Sequence, residues 1–333
     1  MKLNGIFWLM ILGTALVIVM LFSLSVGAVR ISPQRIIALF FQGPGSSEYS
    51  IIFDIRLPRI ILGFAIGGAL SLAGVILQGL FRNPLVEPYT LGISGGAALG
   101  VSLNIVLGLA AVSRLSLPLS GFLGAAAVIG FLYLANFRRG MVNLQGLLLN
   151  GVMISFIASS LVMLLLSLTS TESLQGIIFW IMGSLGETDG TLIKAMLAVS
   201  LAVLALSYMF CLHLNAFALG EEEALHLGIP VERTKQMLFL MTGILVGFCV
   251  SVAGVIGFIG LVVPHFMRKV VGHDHRILLM ASFLAGAIFL IFCDTIARTI
   301  IAPLELPVGV ITGIAGGSVF VYAFARERGQ THA

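Results

Sequence analysis

From Leu144 to Leu168 the chain carries no charged side chain, and Ile6 to Val26 is equally bare. Runs of about 20 apolar residues are what a helix needs to cross a hydrocarbon core of ~30 Å. Similar runs recur along the whole chain, which predicts spans at about 6–27, 58–80, 91–110, 118–136, 144–168, 191–211, 238–254, 257–270, 277–297 and 307–325. The eighth is short for a full crossing. The runs are continuous and do not alternate with period two, so the spans are helices and not strands of a barrel. Of 333 residues, 59% are hydrophobic and 10% charged, against about 25% charged in a soluble domain, so the solvent for most of this surface is lipid. The expected fold class is an all-α polytopic membrane protein, one transmembrane unit over residues 1–333 with no soluble module.

Charge sets the orientation. With the amino terminus inside, both termini are cytoplasmic, eleven Lys and Arg fall inside and seven outside, the sense that positive-inside bias requires. The net charge of +4 therefore reports topology and not nucleic-acid binding. Arg56-Leu57-Pro58-Arg59 lies on the outer side against that bias and calls for its own explanation. Val26-Gly27-Ala28 has the form of a signal-peptidase site, but the run before it exceeds the 7–15 residues of a signal core, which favours an uncleaved first helix. Cys211, Cys249 and Cys293 lie in or beside apolar runs without metal-like spacing.

The phrase Ser71-Leu-Ala-Gly-Val-Ile76 returns as Ser251-Val-Ala-Gly-Val-Ile256, the first on an inward span and the second on an outward one. Similar segments of opposite polarity fit an inverted repeat, an architecture common among transporters; chance matching in a limited apolar alphabet is the competing explanation. Glycines four apart, Gly63/Gly67, Gly92/Gly96/Gly100, Gly243/Gly247 and Gly309/Gly313/Gly317, are placed for close helix packing, the last set alternatively for a moving interface.

One long polar stretch, 214–236, interrupts the apolar pattern. Glu221, Glu222 and Glu223 belong in water, because each charge costs roughly 2.5–3.5 kcal/mol at a helix centre in lipid. The stretch reads as two short helices, one ended by Gly228 and the next opened by Pro230. It is either a solvated hairpin packed on its own bundle or a docking element for a cytoplasmic partner. No Gly-Lys pair occurs, so the chain has no Walker-A loop, and neither HExxH nor GxSxG is present. His273-Asp274-His275-Arg276 reads as a helix cap and basic anchor or as a metal site. Asp294 and Arg298, four apart, share a helix face as a structural or functional pair. Asn150 is the main polar candidate for a coupling ion if the chain is an ion-coupled secondary transporter, the alternative to an ATP-driven importer. An intramembrane enzyme using His265, Asp274 and His275 would lack a nucleophile.

Together RLPR (56–59), AGVILQGLFRNPLVEP (73–88), LGISGGA (91–97), FWIMGSL (179–185), ALGEEEALHLGIP (218–230), AGVIGFIGLVVPHFMR (253–268), DHR (274–276), DTIAR (294–298) and ELPVGVITGIAGG (305–317) resemble the permease subunits of the iron-siderophore, haem and vitamin B12 class of ABC importers. The resemblance implies a type II importer permease in a bacterial cytoplasmic membrane, with ten helices and an inverted relation between spans 2–5 and 7–10. It implies a second permease subunit, two cytoplasmic ATPase subunits that bind ATP and Mg, an extracytoplasmic binding protein, and no cofactor in this subunit. It assigns binding-protein docking to Arg56 and Arg298, with Arg59 assisting or anchoring span two. It assigns ATPase coupling to 219–235 around Glu221, Glu222, Glu223, Leu225, Leu227 and Gly228, and an inner gate to Met141, Val142, Asn143 and Leu144. Ser318 stands where family members often carry proline, which implies a less kinked last helix.

Overall fold

The computed structural model of the chain describes residues 2–111, 113, 115–137 and 142–330, and the described residues contain helices and no strand. In chain order they are α1 (Lys2–Ser25), α2 (Pro33–Gln42), α3 (Ser47–Ser50), α4 (Leu57–Leu80), α5 (Ile93–Val106), α6 (Ser116–Asn136), α7 (Leu144–Leu168) and α8 (Thr171–Ile181). They continue as α9 (Gly190–Met209), α10 (Cys211–Leu219), α11 (Glu221–His226), α12 (Val231–Ala253), α13 (Ile259–Val271), α14 (His275–Ala297) and α15 (Val308–Gln330). A six-residue π-helix, Ile51–Arg56, joins α3 to α4 without a break.

Each predicted span falls on a helix. Seven helices among the described residues have the length and apolar character to cross a membrane, and Ile93–Val106 and Val308–Tyr322 are shorter apolar helices. The eighth span is α13, 13 residues long, short because the chain ahead of it is not helical. α15 runs through Ser318 without interruption.

The bundle is built around α4, which packs against α9, α12, α13 and α14 and is buried along most of its length. Lipid offers no hydrophobic drive for helix association, so close backbone approach has to supply the contact. A Cβ on Gly67 would lie 2.4 Å from the Gly286 carbonyl oxygen of α14, and one on Gly96 of α5 would lie 2.5 Å from the Gly124 carbonyl of α6. The spaced glycines on α4 and α5 are thus packing devices. Gly309 abuts the carbonyls of Met182 and Val255, whereas Gly313 faces open space.

The repeated phrase does two different jobs. In α4 it is uninterrupted helix, and a Cβ on Gly74 would meet the Gly260 carbonyl oxygen at 1.9 Å. In its second occurrence the helix stops at Ala253, Gly254 takes φ +70, and residues 254–258 run non-helically to α13. Three elements depart from the predicted pattern. α2 and α3, with the π-helix, fold the segment between α1 and α4, and α8 follows α7; each is short, and Ser32, Ser46 and Ser170 cap their amino ends. The polar stretch also differs from the two short helices expected: α10 and α11 are short, but the residues after Pro230 are the first turns of the long α12.

Candidate functional site

Three regions along the bundle concentrate its polar chemistry. At the Leu57 end of α4, the three predicted docking arginines lie within the protein. Arg56, carried by the π-helix, is 3% exposed and donates to the carbonyls of Leu24 and Val29. Arg59 Nη2 donates to Asp294 Oδ1 at 3.3 Å, and Nη1 to Glu305 Oε2 at 2.7 Å. Arg298 Nε donates to Asp294 Oδ2 at 2.9 Å and its Nη2 to the Ser23 hydroxyl at 2.9 Å. The Asp294–Arg298 pair expected from spacing therefore exists, and Arg59 joins it from another helix. Buried guanidiniums require such partners, since an unpaired buried charge costs several kcal/mol. Glu305, with a side chain 52% exposed, is where this network reaches the surface.

At the opposite end of α4 lies the polar hairpin. Glu221, Glu222 and Glu223 form the first turn of α11, where the helix dipole favours acid. The turn out of α11 closes through Gly228 N–H to the Leu225 carbonyl and Ile229 N–H to the Ala224 carbonyl, with Gly228 at φ +80. Ala224 is buried beneath the turn, while Leu225 and Leu227 are 59% and 65% exposed. Lys235 of α12 is buried and donates to Glu221 Oε2 at 2.6 Å and to Glu232 Oε1 at 3.4 Å. The other oxygen of Glu232 accepts the Val142 backbone N–H at 2.6 Å. The predicted gate loop is thereby tied to the predicted coupling element. Asn143 caps α7 by accepting from Gly146 N–H at 2.9 Å, Leu144 opens that helix, and Met141 lies outside the described residues. Glu232 and Lys235 were not singled out from sequence; an acid and a base three apart on a helix is a frequent pattern, and only the fold brings Val142 to it.

The third region is the break between α12 and α13. Glu87 Oε1 accepts the Phe258 N–H at 2.6 Å, and the Tyr89 hydroxyl accepts the Ile256 N–H at 3.2 Å. Ser184 N–H donates to the Ala253 carbonyl at 2.8 Å, so the 182–189 segment also braces the break. Backbone away from regular helix survives at membrane depth only where protein groups satisfy it or where it lines a cavity. Protein groups satisfy the break, and the neighbouring 182–189 segment lines a cavity of about 270 Å³ with Trp180 and Ala253. Asn150, the polar residue singled out on α7, donates to Asn136 Oδ1 at 3.2 Å. Asp274 caps α14 by accepting from Arg276 N–H at 3.0 Å, and Asn215 donates to the same oxygen at 2.8 Å. Partial burial works to raise the Asp274 pKa, but those hydrogen bonds and the charges of Arg276 and His275 hold it below the usual carboxylate range. No group of three or more His, Cys, Asp or Glu among the described residues is placed to hold a metal ion.

A polytopic helical bundle with one helix broken at 254–258 and a charged hairpin at one end can be compared with known proteins. An inward-facing structure of a putative metal-chelate type ABC transporter superposes with a TM-score of 0.84 at 31% identity, covering 96% of this chain and 99% of that one. The hemin transport system permease protein HmuU of Yersinia pestis is 40% identical over 318 residues, 95% of this chain and 94% of its own length. The vitamin B12 import system permease protein BtuC of Klebsiella pneumoniae is 38% identical over 323 residues, 97% of this chain and 95% of its own. The FecCD transport family profile matches residues 15–326. End-to-end agreement of sequence and of overall fold supports ABC import over ion-coupled secondary transport, and the chain belongs to the FecCD transport family, as a multi-pass permease component of an ABC importer.

Proposed function

We propose that this chain is one of two identical permease subunits that move a bulky metal-chelate ligand, an iron-siderophore, haem or corrinoid, across the bacterial cytoplasmic membrane. Haem and vitamin B12 are what the similar permeases are named for, and the cargo class rests on that likeness. In this reading both termini and the α11 hairpin face the cytoplasm. Two separate ATPase subunits bind ATP and Mg there, and this subunit supplies neither nucleotide site nor cofactor. A binding protein delivers the ligand at the opposite face.

The observation that carries the proposal is the hydrogen-bonded chain Glu221–Lys235–Glu232–Val142. Leu225 and Leu227 offer an exposed apolar edge for a groove on the ATPase, with Glu222, Glu223 and Gly228 beside it. A displacement of α11 reaches the 142–144 segment through two ionic contacts and one backbone hydrogen bond. At the outer face, a carboxylate of the binding protein competes with the half-exposed Glu305 for Arg59, while Arg56 and Arg298 keep the local field positive. The alternating-access step is the two bundles rocking on hinges such as the 254–258 break. The test is reconstitution in liposomes with the cognate ATPase and binding protein. Leu225→Glu is expected to abolish ATP-dependent uptake while the purified subunit stays monodisperse; wild-type uptake by that variant would remove α11 from the mechanism.

A further inference from the structure

Beside the hairpin, at the Leu80 end of α4, lies a cavity of about 360 Å³ that the transport reading leaves without a role. Its walls include Gln78, Arg82, Asn83, Arg268, His273 and His275, and no carboxylate is among its lining residues. Arg82 is exposed, sits at φ +49, and its guanidinium has no hydrogen-bond or ionic partner among the described residues. Arg268 is held at the wall by donating to Gln78 Oε1, while Gln78 Nε2 donates to the Gly260 carbonyl at 3.0 Å.

His275 supplies the second, independent feature. It is 4% exposed, and its Nε2 is buried without a hydrogen-bond partner. The tautomer follows from its neighbours. Asn215 Nδ2 donates to Asp274 Oδ1 at 2.8 Å, which turns Asn215 Oδ1 toward His275. That oxygen accepts the His275 backbone N–H at 2.9 Å and lies 2.8 Å from Nδ1, so Nδ1 carries the ring proton. Nε2 is then a bare acceptor facing Gly79, itself a lining residue, 3.2 Å from where a Cβ there would stand. A buried polar atom left unpaired is costly, so a ligand that pairs it gains affinity.

The lining therefore asks for an anion that also donates a hydrogen bond. A metal cation is repelled by Arg82 and Arg268. A carboxylate or sulfate satisfies the arginines but brings no hydrogen to Nε2. A phosphate group with a hydroxyl does both: its oxyanions pair with the guanidiniums in the forked geometry arginine favours, and its hydroxyl donates to Nε2. We propose that this cavity is a binding site for a hydroxyl-bearing phosphate group, either inorganic phosphate or the headgroup of an acidic, hydroxylated phospholipid. Ala218 of α10, three residues before α11 begins, forms part of the wall, so an occupant bears directly on the segment that holds α11.

The full chain in phosphatidylcholine nanodiscs and phosphate-free buffer is titrated with inorganic phosphate by calorimetry. In parallel, nanodiscs containing phosphatidylglycerol are examined by native mass spectrometry for retained lipid. The expected result is one saturable site per chain in at least one arm. Retention of phosphatidylglycerol alone assigns the lipid source, and binding of phosphate alone the soluble one. Arg82→Gln, at an exposed position, should weaken binding at least tenfold, whereas Arg276→Gln, outside the cavity, should leave it unchanged. Sulfate should bind at least tenfold more weakly than phosphate. Absence of binding in both arms overturns the proposal. So does equal weakening by the two arginine substitutions, which would report diffuse surface charge, or sulfate binding as tight as phosphate.

Discussion

Replacing Asp294 by Asn tests the arginine network at the Leu57 end of α4. The carboxylate is 2% exposed and is shared by Arg59 at 3.3 Å and Arg298 at 2.9 Å. An amide keeps the shape but removes the charge, leaving two buried guanidiniums to face each other with Arg56 nearby. Breaking a buried pair by deleting one partner costs about 3–5 kcal/mol. Arg59 retains Glu305 at the exposed rim and Arg298 retains Ser23, so the lower end applies, about 3 kcal/mol. At about 1.4 kcal/mol per decade that is a shift of roughly a hundredfold in the folded-to-unfolded ratio. Reversible unfolding in mixed detergent micelles titrated with SDS measures it. The mechanism makes a second demand: Asp294→Asn combined with Arg298→Met should cost less than the sum of the two single changes, because the second removes the orphaned charge. A single-variant loss under about 0.5 kcal/mol, or strict additivity in the pair, refutes the reasoning.

Other consequences follow from individual contacts. Glu232→Ala removes the acceptor for Val142 N–H and is expected to uncouple the complex, ATP hydrolysis continuing while uptake per ATP falls severalfold. Lys235→Met leaves Glu221 and Glu232 facing each other without their shared cation; hydrogen exchange in residues 220–230 should accelerate at least tenfold. Gly74→Ala pushes a methyl group into the Gly260 carbonyl and should cost at least ~1–3 kcal/mol in the same micelle assay, while Gly13→Ala, with nothing within 4 Å, should not destabilise. The lowered pKa of Asp274 means that its contribution to stability is present above the ordinary value of about 3.9 and is lost as the pH falls through the folded-state value. Asp274→Asn should flatten that acid limb.

Much of the fold was legible because lipid simplifies the code. Continuous apolar runs located ten helices, and the widest boundary shift, seven residues at the start of α12, has a physical cause: Val231–Gln236 is too polar to read as part of an apolar run, yet it continues the same helix. The short helices α2, α3 and α8 escaped because amphipathic segments of this length give no span-like signal. The hairpin was visible as charge in an apolar chain, and its Gly228 turn followed from glycine's access to positive φ. What sequence could not provide was long-range pairing. RLPR advertised outward arginines, yet Asp294 and Glu305, more than two hundred residues away, draw Arg59 inward. Glu87 sits in a stretch that resembled its family closely, but its partner is the N–H of Phe258, and nothing short of the fold pairs them. The same holds for Glu232 and Val142.

The most direct test places a single cysteine at Leu225, after Cys211, Cys249 and Cys293 are replaced, and probes it in reconstituted proteoliposomes with a short thiol crosslinker. The account predicts capture of the nucleotide-hydrolysing subunit, with a yield that changes when ATP is added, and labelling only by reagents that reach the cytoplasmic face. A thiol that never captures that subunit, or that reacts only from the extracytoplasmic side, would contradict it.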